Sequence, residues 1–144
     1  MKILRTFSSA AMLALTIFIL QGCNVSTANM SSFETFSDKE GKTKATSFKA
    51  GETVYAKATI SNNPGKVKIK FSMIPEADIE DMKKGESIKE LEKSFDMDGD
   101  GVATYNFTAN SSFPGGTFTI NVDMLNEQGE KKDGKTATVT IAAP

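Results

Sequence analysis

The sequence predicts an all-β fold, a β-sandwich of about seven strands, and three observations predict it. Apolar and polar residues alternate along several short stretches, as they do on strands with one face buried. Gly, Pro, Asn and Asp cluster between those stretches in the manner of turns. Residues 33–144 are one domain's worth of chain, enough for one core between two layers.

The chain opens with a different kind of segment. Lys2 and Arg5 precede an apolar run over residues 10–20, which ends in Leu20-Gln21-Gly22-Cys23. A basic start, an apolar stretch shorter than a membrane span and a small residue before the cut are the layout of a signal peptide. The ending resembles a bacterial lipobox. That resemblance implies recognition of Leu20 and Gly22 by the lipoprotein signal peptidase, cleavage before Cys23, and a diacyl lipid on the Cys23 sulfur. It divides the chain into a signal peptide at 1–22, a lipidated cysteine with a flexible tether at 23–32, and the folded domain at 33–144. Asn24 stands where an aspartate would resemble an inner-membrane retention signal. The expected location is therefore the bacterial cell envelope, lipid-anchored, at the outer membrane in a Gram-negative cell.

Phe33 and Phe36 begin the folded part, before a turn at Asp38-Lys39-Glu40-Gly41. A short apolar patch at 45–48 follows. Val54, Ala56, Ala58 and Ile60 then alternate with Tyr55, Lys57 and Thr59. Asn62-Asn63-Pro64-Gly65 suits a type II turn, with Pro64 and Gly65 central. The cleanest alternation sets Val67, Ile69, Phe71 and Met73 against Lys66, Lys68, Lys70 and Ser72, one face buried and one wet. Residues 76–93 are mostly charged. Ile79 and Met82, then Ile88 and Leu91, are spaced by three, which predicts a helical turn or two inside a long crossover. Phe95 resumes the core pattern ahead of a tight acidic turn, and Ala103, Tyr105 and Phe107 share the next inward face. Phe118, Ile120, Val122 and Met124 form another strand, residues 126–134 a polar loop, and Ala137, Val139 and Ile141 the last strand.

The final two strands carry a more specific likeness. Pro114-Gly115-Gly116-Thr117-Phe118-Thr119-Ile120-Asn121-Val122, followed by Ala137-Thr138-Val139-Thr140-Ile141, resembles the closing hairpin of bacterial Ig-like domains. The resemblance implies a single Ig-like antiparallel sandwich with a charged crossover, and it implies no catalytic position. The Cys…Trp…Cys core of antibody domains is missing.

Composition narrows the function. Cleavage before Cys23 removes Lys2 and Arg5 from 17 basic residues, leaving 15 against 18 acidic and a net charge of −3. A mildly acidic chain without arginine lacks the basic footprint of nucleic-acid binding. Cys23 is the one cysteine and the lipid would consume it, so no disulfide forms within the chain. Histidine is absent, which removes the usual zinc ligands and most nucleophilic triads. The expectation is a non-enzymatic protein without a cofactor.

Three clusters are candidates for binding. Asp96-Met97-Asp98-Gly99-Asp100-Gly101 matches the first half of a calcium loop, with Asp96, Asp98 and Asp100 as ligands. The closing acid is missing, because loop position twelve is Phe107, and the favoured reading is an acidic hairpin turn. Lys66, Lys68 and Lys70 line the solvent face of one strand, where they could hold an anionic polymer or lipid head group or simply protect an edge strand from pairing. Glu76, Asp78, Glu80 and Asp81 lie in a hydrophilic crossover with Lys83 and Lys84, a solvated loop rather than an acid–base pair. Lys83 and Lys84 join Lys66, Lys68 and Lys70 as partner-binding candidates, and the loops at 76–93 and 126–134 are the expected recognition surfaces. The function expected from all this is a membrane-anchored, non-catalytic binding or structural module. Its partners would be the membrane, through the lipid, and a protein or polysaccharide of the envelope. The alternative is an inhibitor that blocks an envelope hydrolase through its loops.

Overall fold

The computed structural model describes residues 27–144. Signal peptide, Cys23, Leu20 and Gly22 lie outside the described residues, as does the start of the expected tether. Eight strands follow: β1 (Asn29–Phe36), β2 (Ser47–Phe48), β3 (Thr53–Ser61), β4 (Lys66–Pro75), β5 (Lys93–Asp98), β6 (Gly101–Thr108), β7 (Gly116–Leu125) and β8 (Lys131–Ile141). They form a three-stranded sheet in the order β1-β3-β6 and a five-stranded sheet in the order β2-β8-β7-β4-β5. All pairings are antiparallel except the short β2–β8 contact, which is parallel. The result is an all-β, two-layer arrangement of the sandwich kind.

Period-two alternation decides which face each strand turns inward. Val54, Ala56 and Ala58 of β3, Ile69, Phe71 and Met73 of β4, and Phe118, Ile120, Val122 and Met124 of β7 are all fully buried. The inward faces of both sheets join in one buried cluster, to which β3 contributes small alanines and β4 and β7 larger residues. Phe71 stands at the centre. Its ring stacks on Tyr105 at 5.5 Å between centroids and meets Phe33 and Phe95 at 6.2 and 5.9 Å. A second aromatic chain, Phe107–Phe113–Phe118, closes one end of the core.

Several expectations are corrected. Residues 23–32 are not all tether: β1 starts at Asn29, Met30 is buried, and its N–H donates to Asp133 Oδ2 at 2.7 Å. The crossover holds no α-helix. Ile79 and Met82 face each other across a reverse turn, each N–H donating to the other's carbonyl at 3.0 and 2.8 Å. Positive φ at Glu80 (49°) and Gly85 (79°) breaks any helical run there. Ile88 and Leu91 do bracket one 3₁₀ turn, Lys89–Leu91, closed by Leu91 N–H on the Ile88 carbonyl. The polar loop expected at 126–134 contracts to 126–130, because β8 already begins at Lys131. At Asn62-Asn63-Pro64-Gly65 the positive φ belongs to Asn62 (56°), and Gly65 does not have one, so the turn is not type II. Phe95 is not a core residue: it lies on the outermost strand and stays 37% exposed.

Candidate functional site

The three lysines and the aspartates that follow them prove to be neighbours. In the β4–β5 register Lys66 lies opposite Asp98, Lys68 opposite Asp96 and Lys70 opposite Ser94, all on the outer face of the five-stranded sheet. The other flank of β4 sets Lys70 opposite Asp123 of β7. The lysine stripe therefore does not guard an edge. β4 is an interior strand, and its charge is balanced by carboxylates on both sides. Lys68 Nζ is 3.8 Å from Asp96 and Lys70 Nζ 3.1 Å from Glu92, while Asp123 is taken by Lys131 at 2.6 Å. The Ser87 hydroxyl, donating at 2.6 Å, and then Lys70 hold the Glu92 carboxyl below its usual range.

At the Lys66 end of β4 the sheet surface dips into an open groove of about 490 Å³. Lys66 and Lys68 form its floor, Asp96 and Asp98 one wall, and Asn126 and Glu127 from the β7–β8 turn the other. That turn is stiff. Asn126 Oδ1 accepts the N–H groups of Gln128 and Glu130 at 3.1 and 2.8 Å. Its amide in turn donates to Glu130, which with Lys132 depresses the Glu130 carboxyl. Asn126 and Glu127 belong to the 126–134 loop that the sequence offers as a recognition surface, though neither residue is individually marked there. Only the strand register, which sets the β7–β8 turn beside Lys66, brings them to the groove.

The calcium candidates are not brought together. Residues 99–100 do not close a hairpin; they carry the chain from the five-stranded sheet to the three-stranded one. Asp100 is used in that corner, its Oδ1 accepting Asn63 N–H at 2.7 Å, while Asn63 Nδ2 donates to the Gly99 carbonyl at 2.8 Å. Asp96 and Asp98 point outward along β5 instead. Among the described residues no group of three acidic, His or Cys side chains is placed to hold a metal ion. Nor do the crossover carboxylates converge. Asp78 caps Lys84 N–H at 2.8 Å and Glu76 accepts from the Thr119 hydroxyl. Lys83 and Lys84 are exposed on that same loop, away from the groove lining. Among the described residues the one strongly shifted acid is Tyr105, whose hydroxyl burial pushes up to about 12, and it is a core residue. The described residues hold no catalytic constellation.

No protein-family model matches the chain, and no curated protein sequence does. Solved structures do. The C-terminal domain of Wzt is similar over 83% of this chain and 75% of its own, with a TM-score of 0.51 at 10% identity. A Niemann-Pick type C2 protein from the Japanese carpenter ant covers 83% of this chain and 96% of its own, at 14% identity and a TM-score of 0.44. The PmoD soluble domain from Methylocystis aligns with 82% of this chain and 93% of its own, at 14% identity and a TM-score of 0.42. At such identities the likeness to the Wzt domain is one of fold.

Proposed function

We propose that this chain is a cell-envelope lipoprotein, held to the membrane by lipid on Cys23, whose Ig-like sandwich is a non-catalytic binding module. The observation that carries the binding reading is the groove at the Lys66 end of β4. Charge of both signs and the carboxamide of Asn126 line it, and every carboxylate there is exposed to solvent. A rigid scaffold that displays polar groups at a rim is the usual design of a recognition domain. The partner is a protein or polysaccharide of the envelope, met by many copies displayed on one membrane, which compensates for a groove without arginine or tryptophan. The lipobox and the absence of any other cysteine support the anchor, because two acyl chains hold a protein firmly where one does so marginally.

The test is cross-linking in intact cells with the native chain, with Cys23→Ala, and with a Lys66→Ala/Asn126→Ala pair. Native protein should be processed and captured with a partner. Cys23→Ala should accumulate as precursor, and the groove pair should be processed normally yet lose the partner. Normal cleavage of Cys23→Ala sinks the anchor, and undiminished capture by the groove pair sinks the site. The inhibitor reading is favoured by one feature, the crossover's internal bonding, which holds a charged loop rigid. It demands stoichiometric inhibition of a hydrolase by the purified protein.

A further inference from the structure

We propose that the free edge of β5 takes up an extended partner peptide in which basic and apolar residues alternate, added antiparallel as a sixth strand. The proposal rests on the binding-module reading and names the surface and the kind of partner. Among the described residues β5 ends the sheet order, and no strand pairs with its far side. Gly99 N–H donates to the Gly65 carbonyl at 3.0 Å just beyond the β4–β5 ladder. Antiparallel hydrogen-bonded pairs alternate, so Met97, Phe95 and Lys93 share the ladder with β4. Ser94, Asp96 and Asp98 therefore turn their backbone N–H and C=O groups to the open side. Such a row is the template on which an added strand forms.

Side chains specify what that strand is. The outer face of β5 presents Asp96, its side chain 82% exposed, and the exposed Asp98. The inner face presents Phe95, 37% exposed, and the half-buried Met97. The molecule already contains one strand that answers this pattern. β4 sets Lys66 and Lys68 against Asp98 and Asp96, and Val67 and Ile69 against Met97 and Phe95. Cross-strand pairing depends on the rows of side chains, and those rows are open to both flanks of β5. A second strand of the same chemistry would find lysine or arginine beside each aspartate and apolar groups beside Phe95 and Met97.

A second copy of this chain is the poorer occupant. Its β4 has both edges paired. Pairing β5 with itself across a two-fold axis opposes like charges whichever residue lies on the axis, lysines at Lys93 and acids elsewhere. Centring on Ser94 or Phe95 sets Glu92 against Asp96 or Asp98, centring on Asp96 sets it against itself, and centring on Met97 sets Asp96 against Asp98. The strand therefore discourages self-association while leaving a basic partner welcome.

The experiment titrates the purified full-length protein, isotope-labelled, with a blocked hexapeptide copying residues 66–71. The control peptide carries glutamate in place of its three lysines. Shifts and slowed exchange should centre on the amides of Ser94, Asp96 and Asp98. Binding should weaken at least about tenfold in Asp96→Asn/Asp98→Asn and fall steeply with salt. Both asparagines are surface changes on a strand already formed, so the variant keeps its fold, which its amide spectrum verifies. Equal binding of the glutamate peptide, absent shifts, or shifts confined to Asn126 and Glu127 overturn the proposal and leave the groove reading standing. Concentration-dependent protection of the same amides without peptide also overturns it, by making the second copy the occupant.

Discussion

Strands β4 and β5 lie side by side and both alternate, yet only one of them is core. β4 is flanked by β5 and β7, and its inward row, Val67 to Met73, is buried to 5% or less. β5 has one neighbour, and five of its six residues are exposed. The same period-two pattern thus yields a buried face in one strand and a reactive edge in the other. Alternation reports which residues share a face. It does not report how many neighbours the strand has, and neighbours determine burial.

The comparison is broken most directly at two phenylalanines that meet edge to face, Phe71 and Phe95. Phe71 is fully buried among Phe33, Phe95 and Tyr105. Phe71→Ala leaves a cavity at the sandwich centre and should cost about 3–5 kcal/mol. Phe95→Ala, on the edge, should cost on the order of 1 kcal/mol, because water already reaches its ring. Urea unfolding of both variants measures the ratio. Equal losses would show that β5 is as much core as β4.

The same contrast explains what was legible beforehand. The inward residues Val54, Ala56, Ile69, Phe71, Phe118 and Ile120 were readable because burial on one face imposes the period-two code, and each is fully buried. The β7–β8 hairpin was readable for the same reason, with glycines at its start. Gly115 is needed there, since a Cβ would sit 2.3 Å from the Ala143 nitrogen. Residues 76–93 were misread because a spacing of three also arises when a reverse turn folds two apolar side chains onto the core. Ile79 and Met82 do that without a helix. The candidate site was half legible. Lys66, Lys68, Asp96 and Asp98 were each visible, but as separate clusters. That they form one surface depends on the β4–β5 register, a contact between residues far apart along the chain. Asn126 and Glu127 were legible only as part of the polar loop at 126–134, because composition marks an exposed loop but not which strand it lies beside.

A smaller effect sharpens the view of what covers β4 from the other sheet. The Tyr105 hydroxyl is buried and has no hydrogen-bond partner. Tyr105→Phe keeps the stack on Phe71 and removes an unpaired polar group, so stability should rise by about 1 kcal/mol. The pH dependence provides a second reading. An unfolded tyrosine loses its proton near 10, whereas the folded one, raised to about 12, retains it. The folded state then binds more protons than the unfolded one, and stability falls as pH climbs through that interval. Thermal melts from neutral pH to pH 11 should show a steeper alkaline decline for the native chain than for Tyr105→Phe. Parallel curves would mean that the hydroxyl finds a partner in solution.

The smallest expected effect lies where the two strands are tied at their far end, by Lys70 of β4 and Glu92 just before β5. Their side chains are 42% and 30% exposed, so water screens the pair at 3.1 Å. Glu92→Gln should therefore cost only about 0.2–1 kcal/mol. The sign with pH follows from the direction of the shift. The bond from Ser87, and then Lys70, lowers the Glu92 carboxyl in the folded protein. Its contribution is present above the carboxyl's unfolded value and disappears as pH falls through the lower folded one. Native and Glu92→Gln proteins should differ at neutral pH and converge in acid, with the difference also shrinking in high salt. A gap that persists in acid would assign the effect to Ser87 packing rather than charge. The β4–β5 pair would then be joined at that end by shape, as it is along the Phe71–Phe95 contact.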